Sequence, residues 1–201
     1  MFGIVTFFWH DFDVWQHIQI LSSTPTGEML VRIISVIEII GGFCIQVRRT
    51  ERIGAALLGA IYLFFALLCV PKIIARPLAY GGGFGNFFEE FSLVSGAWIV
   101  YWAAATPSPW RSHALQIGRY AFSLCVVSFT LEQLIYLQGT SEFVPKWIPP
   151  SQIFWAATTT IAFALAAIAL LTGLMARLAS KLTTAMIAGF GLLIWVPVVI
   201  T

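Results

Sequence analysis

Glu38 lies near the middle of the apolar run 29–47, where a carboxyl is costly. An acid at the bilayer centre costs about 2.5–3.5 kcal/mol on insertion scales, so this side chain is expected to face protein rather than lipid. Ser35 precedes it by three residues and Gly41–Gly42 follow it, which predicts a close-packed interface of small residues around the acid. Burial disfavours the charged form of a carboxyl, so two roles are open. Glu38 carries a proton or bonds a quinone headgroup, or it is a protonated packing residue hydrogen-bonded to a neighbouring helix. A second polar stripe joins Glu132, Ser128 at i−4 and the adjacent Gln133 on the run 117–138. It is placed beneath the loop that carries Trp147 and Pro149, where an amphipathic ligand would come in from the outer leaflet. Helix packing explains that stripe equally well.

Other constellations are weaker. Glu89 and Glu90 open an apolar run, where carboxylates favour the positive end of the helix dipole. His10, His17, Asp11 and Asp13 share an outer loop, but no HxxxH or HExxH spacing supports a metal, and a solvated loop is expected. His113, beside Arg111, is expected to be solvated. The glycine run Gly81–Asn86 has no preceding strand and no following GK[ST], so it reads as a hinge rather than a phosphate loop. Thr158–Thr160 are expected to bond their own helix or a neighbour. Cys44, Cys69 and Cys125 offer no CxxC pair, which disfavours thiol redox chemistry and a zinc site. No histidine falls inside an apolar run, which disfavours bis-histidine haem ligation.

The elements that hold these residues follow from composition. The 201 residues are 59% hydrophobic and only 10% charged, against roughly 45–50% and about 25% in soluble domains. So few charges cannot cover a water-facing surface, and an integral membrane protein is expected. Runs 29–47, 53–71, 87–104, 117–138, 153–172 and 178–200 approach the roughly 20 residues a spanning helix needs. A shorter apolar start, 1–9, precedes them and lacks the marks of a signal peptide. Pro71 and Pro197 are expected to end or kink matching helices. Pro149–Pro150 with Ser151 predict a stop and an N-cap for the helix beginning near Ile153.

Basic residues predict orientation. Arg48, Arg49, Arg52, Arg111, Arg119, Arg177 and Lys181 fall on one side, and Arg32, Lys72, Arg76 and Lys146 on the other, seven against four. The positive-inside rule places the richer turns in the cytoplasm of a cell whose inner (plasma) membrane holds the chain. The long loops 10–27 and 139–152 then lie outside. Trp and Tyr cluster at expected span ends as an aromatic belt. A net charge of +2 with scattered basic residues excludes a nucleic-acid partner.

The chain also resembles itself. Phe2–Trp9 can be laid on Phe129–Tyr136, Arg52–Ala55 (RIGA) on Arg177–Ser180 (RLAS), and Val70–Pro71 on Val196–Pro197. The intervals agree, at 50 and 48 positions and then 19 and 20. This predicts an all-α, polytopic helical bundle of two parallel four-helix-type repeats, 1–105 and 106–201, related about the membrane normal. About seven helices are expected, with the first helix of copy one short and the fourth of copy two absent, as in a trimmed form of a longer protein.

The stretch Glu132–Ala179 resembles the DoxX-like membrane family. The residues that carry the likeness are a glutamate-aromatic helix end, the V-P-x-W-I-P loop at Val144–Pro149, the FWA start at Phe154, and T-G-x-x-A-R-L-A at Thr172–Ala179. R-R-T-x-R-I-G-A (Arg48–Ala55) and NFFEEFSLVSGAW (Asn86–Trp98) are the weaker first copy. The resemblance implies a four-helix membrane bundle, here doubled. The family is named for a subunit of a thiosulfate:quinone oxidoreductase, and wider relatives serve as assembly factors or cargo receptors. Similar sequences often carry His after the glutamate, where this chain has Gln133.

No complete catalytic constellation emerges from the sequence. The leading expectation is therefore a non-catalytic subunit or scaffold that contacts membrane lipids and other membrane-protein subunits. A quinone-binding accessory subunit of a membrane oxidoreductase, using Glu38 or Glu132, is the alternative. A small-molecule carrier is the second alternative.

Overall fold

The computed structural model describes residues 3, 4, 7, 25–78 and 80–190, and every regular element among them is helical. In chain order these are α1 (Pro25–Gln46), α2 (Glu51–Ala75), a π-helical turn (Tyr80–Gly85), α3 (Asn86–Ala103), α4 (Pro109–Ile135), α5 (Leu137–Glu142), α6 (Gln152–Thr172) and α7 (Ala176–Phe190). Residues 3, 4 and 7 are helical as well. His10, Asp11, Asp13 and His17 lie outside the described residues, as does the end of the expected last span with Pro197.

Among the described residues, three helices are long and apolar enough to cross a membrane: α2, α4 and α6, of 25, 27 and 21 residues. At 1.5 Å per residue they are about 30–40 Å long, matching a hydrocarbon core of about 30 Å. α1 and α3 occupy two of the other expected spans but carry acids among their apolar residues. The surface is apolar and part of the interior is polar. Along α6, Ile161, Leu165 and Ile168 are each about 60% exposed, while Ala156, Thr160, Ala166 and Ala167 are buried. Lipid tails would satisfy such a face, whereas water would not.

Local signals set the helix ends. Proline opens α1 and α4, where its missing N–H would be unbonded in any case. α4 starts eight residues before the expected run, because the polar stretch after Pro109 still continues a helix outside the apolar layer. Pro71 does not end α2, which continues to Ala75. Only one intrahelical bond is lost at a proline, and the flanking apolar residues maintain the helix. The expected loop 139–152 begins within the short helix α5. Ser151 does cap α6, its Oγ accepting from Phe154 N at 3.3 Å, and Gly173 at φ 78° ends that helix. The glycine run forms the π-helical turn, with Gly83 seated against Ile73 of α2.

Two compact units divide within α4, Met1–Phe122 and Ser123–Thr201. In the first, α1 and α2 run antiparallel from a tight turn that Thr50 closes by donating to Cys44 O at 2.9 Å. The two helices are in close contact at Gly41 and Gly54. A Cβ on Gly54 would lie 2.7 Å from Gly41 O and 2.8 Å from Ile45 N. Val31, Ile34, Tyr62 and Phe65 form the core beyond that crossing, with Leu93 and Val94 of α3 against it. Arg111 closes the far end of α3, donating to Trp102 O at 3.1 Å and Ala103 O at 2.6 Å.

In the second unit, Phe129 of α4 meets Phe163 of α6 edge-on, with ring centres 6.0 Å apart. The loop before α6 folds onto that helix. Trp155 Nε1 donates to Pro149 O at 2.9 Å, and Gln152 Nε2 donates to Val144 O.

Candidate functional site

The glycine crossing sets the register of a buried polar cluster. Gly41 faces Leu58 of α2. About one turn further along both antiparallel helices, Glu38 and Tyr62 come level and hydrogen-bond through their side chains. Glu38 is 4% exposed and Tyr62 7%. On its other flank Glu38 meets Gly3, where any Cβ would lie 2.8 Å from both Glu38 Cβ and Ser35 O. Ser35 is fully buried and donates to Val31 O of its own helix at 2.8 Å. The expected small-residue surroundings of Glu38 are present, and Gly41 contributes to packing within the chain. Gly42 has nothing within 4 Å of its Cβ position.

α3 adds a residue that the sequence reading assigned elsewhere. Glu89 and Glu90 were both expected to serve the helix dipole. Glu89 fits, exposed in the first turn of α3. Glu90 does not: it is 5% exposed and its Oε2 has no hydrogen-bond partner among the described residues. The reason is helical geometry. Adjacent residues point about 100° apart, and Glu90 shares the inward stripe of Leu93, Val94 and Ala97 at i+3, i+4 and i+7. Glu90 lies within the electrostatic field of Glu38 and Glu89, and Tyr62 feels both buried acids.

Two carboxylates enclosed together repel one another, and a low-dielectric interior multiplies the cost. Protonating either one removes one of the charges. A phenol beside them can donate to either a carboxylate or a carbonyl. The cluster can therefore bind and release a proton, or hydrogen-bond a small polar headgroup.

The second unit holds the other expected residues. Ser128 is buried, and Glu132 and Gln133 are half-buried on the same helix. Thr160 of α6 donates to Gln133 Oε1 at 3.0 Å, its hydroxyl also lying 2.7 Å from Ala156 O. Gln133 thereby joins α4 to α6. Trp147 is 73% exposed on the loop, and the Pro149 ring is exposed although its carbonyl is engaged. Among the described residues no three His, Cys, Asp or Glu side chains gather as a metal site. The three cysteines form no disulfide.

Sequence reasoning missed Tyr62 and Glu90. A signal existed for both: Gly54, Leu58, Tyr62, Phe65 and Cys69 recur at helical spacing on α2, and Glu90 leads the equivalent stripe on α3.

No protein-family model, curated protein or solved structure matches the chain.

Proposed function

We propose that the chain is a DoxX-like, non-catalytic subunit of a membrane complex, whose contribution is to hold a proton and a quinone headgroup at Glu38, Tyr62 and Glu90. The observation that carries this reading is Glu90, an enclosed carboxyl with one oxygen that meets no hydrogen-bond partner among the described residues, near a bonded acid and phenol. Intramembrane acids are otherwise avoided, and a purely structural role would favour complete pairing. A quinone carbonyl would accept from Tyr62 or a protonated carboxyl. A quinol hydroxyl would donate to an ionised one.

The inner-membrane topology belongs to the same reading, with the Arg-rich turns in the cytoplasm. The internal repeat is supported by matching turns. Residues 47–50 join α1 to α2 and 173–175 join α6 to α7, and Arg52 and Arg177 are each the second residue of the helix that follows.

The test is mass spectrometry of what co-purifies when the full chain is extracted from its native membrane in mild detergent. Stoichiometric quinone, lost in Glu38→Gln and Glu90→Gln but retained in Glu132→Gln, is the expected result. A stable protein partner with no quinone overturns the quinone part and leaves a scaffold. A bound polar metabolite in its place makes the chain a carrier.

A further inference from the structure

The Arg52 end of α2 borders a feature that the carboxyl cluster does not use. An open groove of about 610 Å³ is lined by Arg52, Ile53, Ala56, Leu57 and Ala60 of α2 and by Tyr101 of α3. The α2 residues follow at i, i+1, i+4, i+5 and i+8, one face over two turns, which extends about 12 Å along the axis. A cation stands at one end beside the Tyr101 phenol, and the rest of the wall is alkyl.

The guanidinium is held in place. Arg52 Nη2 donates to the Tyr101 hydroxyl at 3.0 Å, and its central carbon lies 4.5 Å from the centre of that ring. Arg52 remains exposed, and no carboxylate pairs with it among the described residues. A guanidinium carries five N–H donors in a planar fork, so most stay available to an anion. Arg48 and Arg49, exposed in the preceding turn, add positive charge at the same end.

Depth matches the pattern. Arg52 is the second residue of a 25-residue helix long enough to cross a bilayer. That puts the cation at headgroup level and runs Ile53–Ala60 inward from it, where an acyl chain begins. We propose that this groove binds one anionic phospholipid, with its phosphate on Arg52 and an acyl chain along Ile53, Ala56, Leu57 and Ala60. Charge complementarity selects the anionic headgroup. The alkyl wall selects a lipid over a free phosphate.

The test is thermal unfolding of the full chain in detergent, titrated with dioleoyl phosphatidylglycerol, dioleoyl phosphatidylcholine or inorganic phosphate. Phosphatidylglycerol is expected to raise the midpoint saturably, while the other two leave it unchanged. Arg52→Gln should weaken the apparent affinity about tenfold, the loss expected for one charge-assisted bond. Ala60→Phe fills the wall with the cation intact and should also abolish the saturable shift, so the test does not depend on Arg52→Gln folding. Arg48→Gln should retain the shift. Equal shifts with both lipids, an undiminished shift in Arg52→Gln or Ala60→Phe, loss of the shift in Arg48→Gln, or the same shift from phosphate alone would each overturn the proposal.

Discussion

Replacing Glu90 with methionine should stabilise the protein, although it removes a carboxyl from the centre of the candidate site. Glu90 is 5% exposed and its Oε2 is without a hydrogen-bond partner among the described residues. An enclosed polar atom left unsatisfied costs about 1–3 kcal/mol. Methionine is similar in length, apolar and flexible enough to fill the same space. A gain of about 1–3 kcal/mol follows, which raises the unfolding midpoint by about 2–4 °C per kcal/mol in a chain of this size. Glu38→Met should do the opposite. It breaks the bond to Tyr62 and strands a phenol that is 7% exposed, a loss of about 1–3 kcal/mol. The assay is circular-dichroism melting of both variants in one detergent, with quinone retention measured on the same samples. Opposite signs in stability with the same loss of binding is the signature of a site maintained at the expense of stability. If Glu90→Met melts lower, as Glu38→Met does, the carboxyl has a structural partner and the reasoning about the cluster fails.

Further substitutions test the packing within each unit. Gly54→Ala places a methyl 2.7–2.8 Å from Gly41 O, Cys44 Cβ and Ile45 N, and should lower stability by about 1–3 kcal/mol in the same melts; an unchanged midpoint would contradict the close crossing. Thr160→Val removes the donor to Gln133 and should cost about 1 kcal/mol, with Gln133→Leu in the same background restoring part of the loss. Ser151→Ala removes the cap of α6 and should cost about 0.5–2 kcal/mol, whereas Ser151→Gly should cost only a few tenths; comparing the three midpoints separates capping from general loop damage.

Helix positions were legible because long apolar runs admit few other structures, and the α6 cap because Ser151 carries its own chemistry. The inward faces were harder to read. A helix such as α2 is apolar nearly all round, so hydrophobicity does not say which side meets protein. Small residues do, and Gly41 and Gly54 set the register that brings Tyr62 to Glu38. Glu38 stood out because its acid interrupts an apolar run. Glu90 was hidden by its neighbour, since a pair of glutamates near a helix start fits the dipole without further explanation. Only the 100° turn from one residue to the next separates their roles. Pro71 was expected to end or kink its helix, and α2 continues past it to Ala75.

The apolar exterior of α6 also bears on how the protein responds to temperature. Ile161, Leu165 and Ile168 lie outside the packed interior in the folded state, so melting within a micelle transfers few of them from protein contact to water. The large heat-capacity change that bends the stability curve of soluble domains comes from that transfer. Calorimetry should therefore show a small heat-capacity step and a nearly straight dependence of stability on temperature. Cooling would then cause little of the weakening that affects folds held together by the exclusion of water.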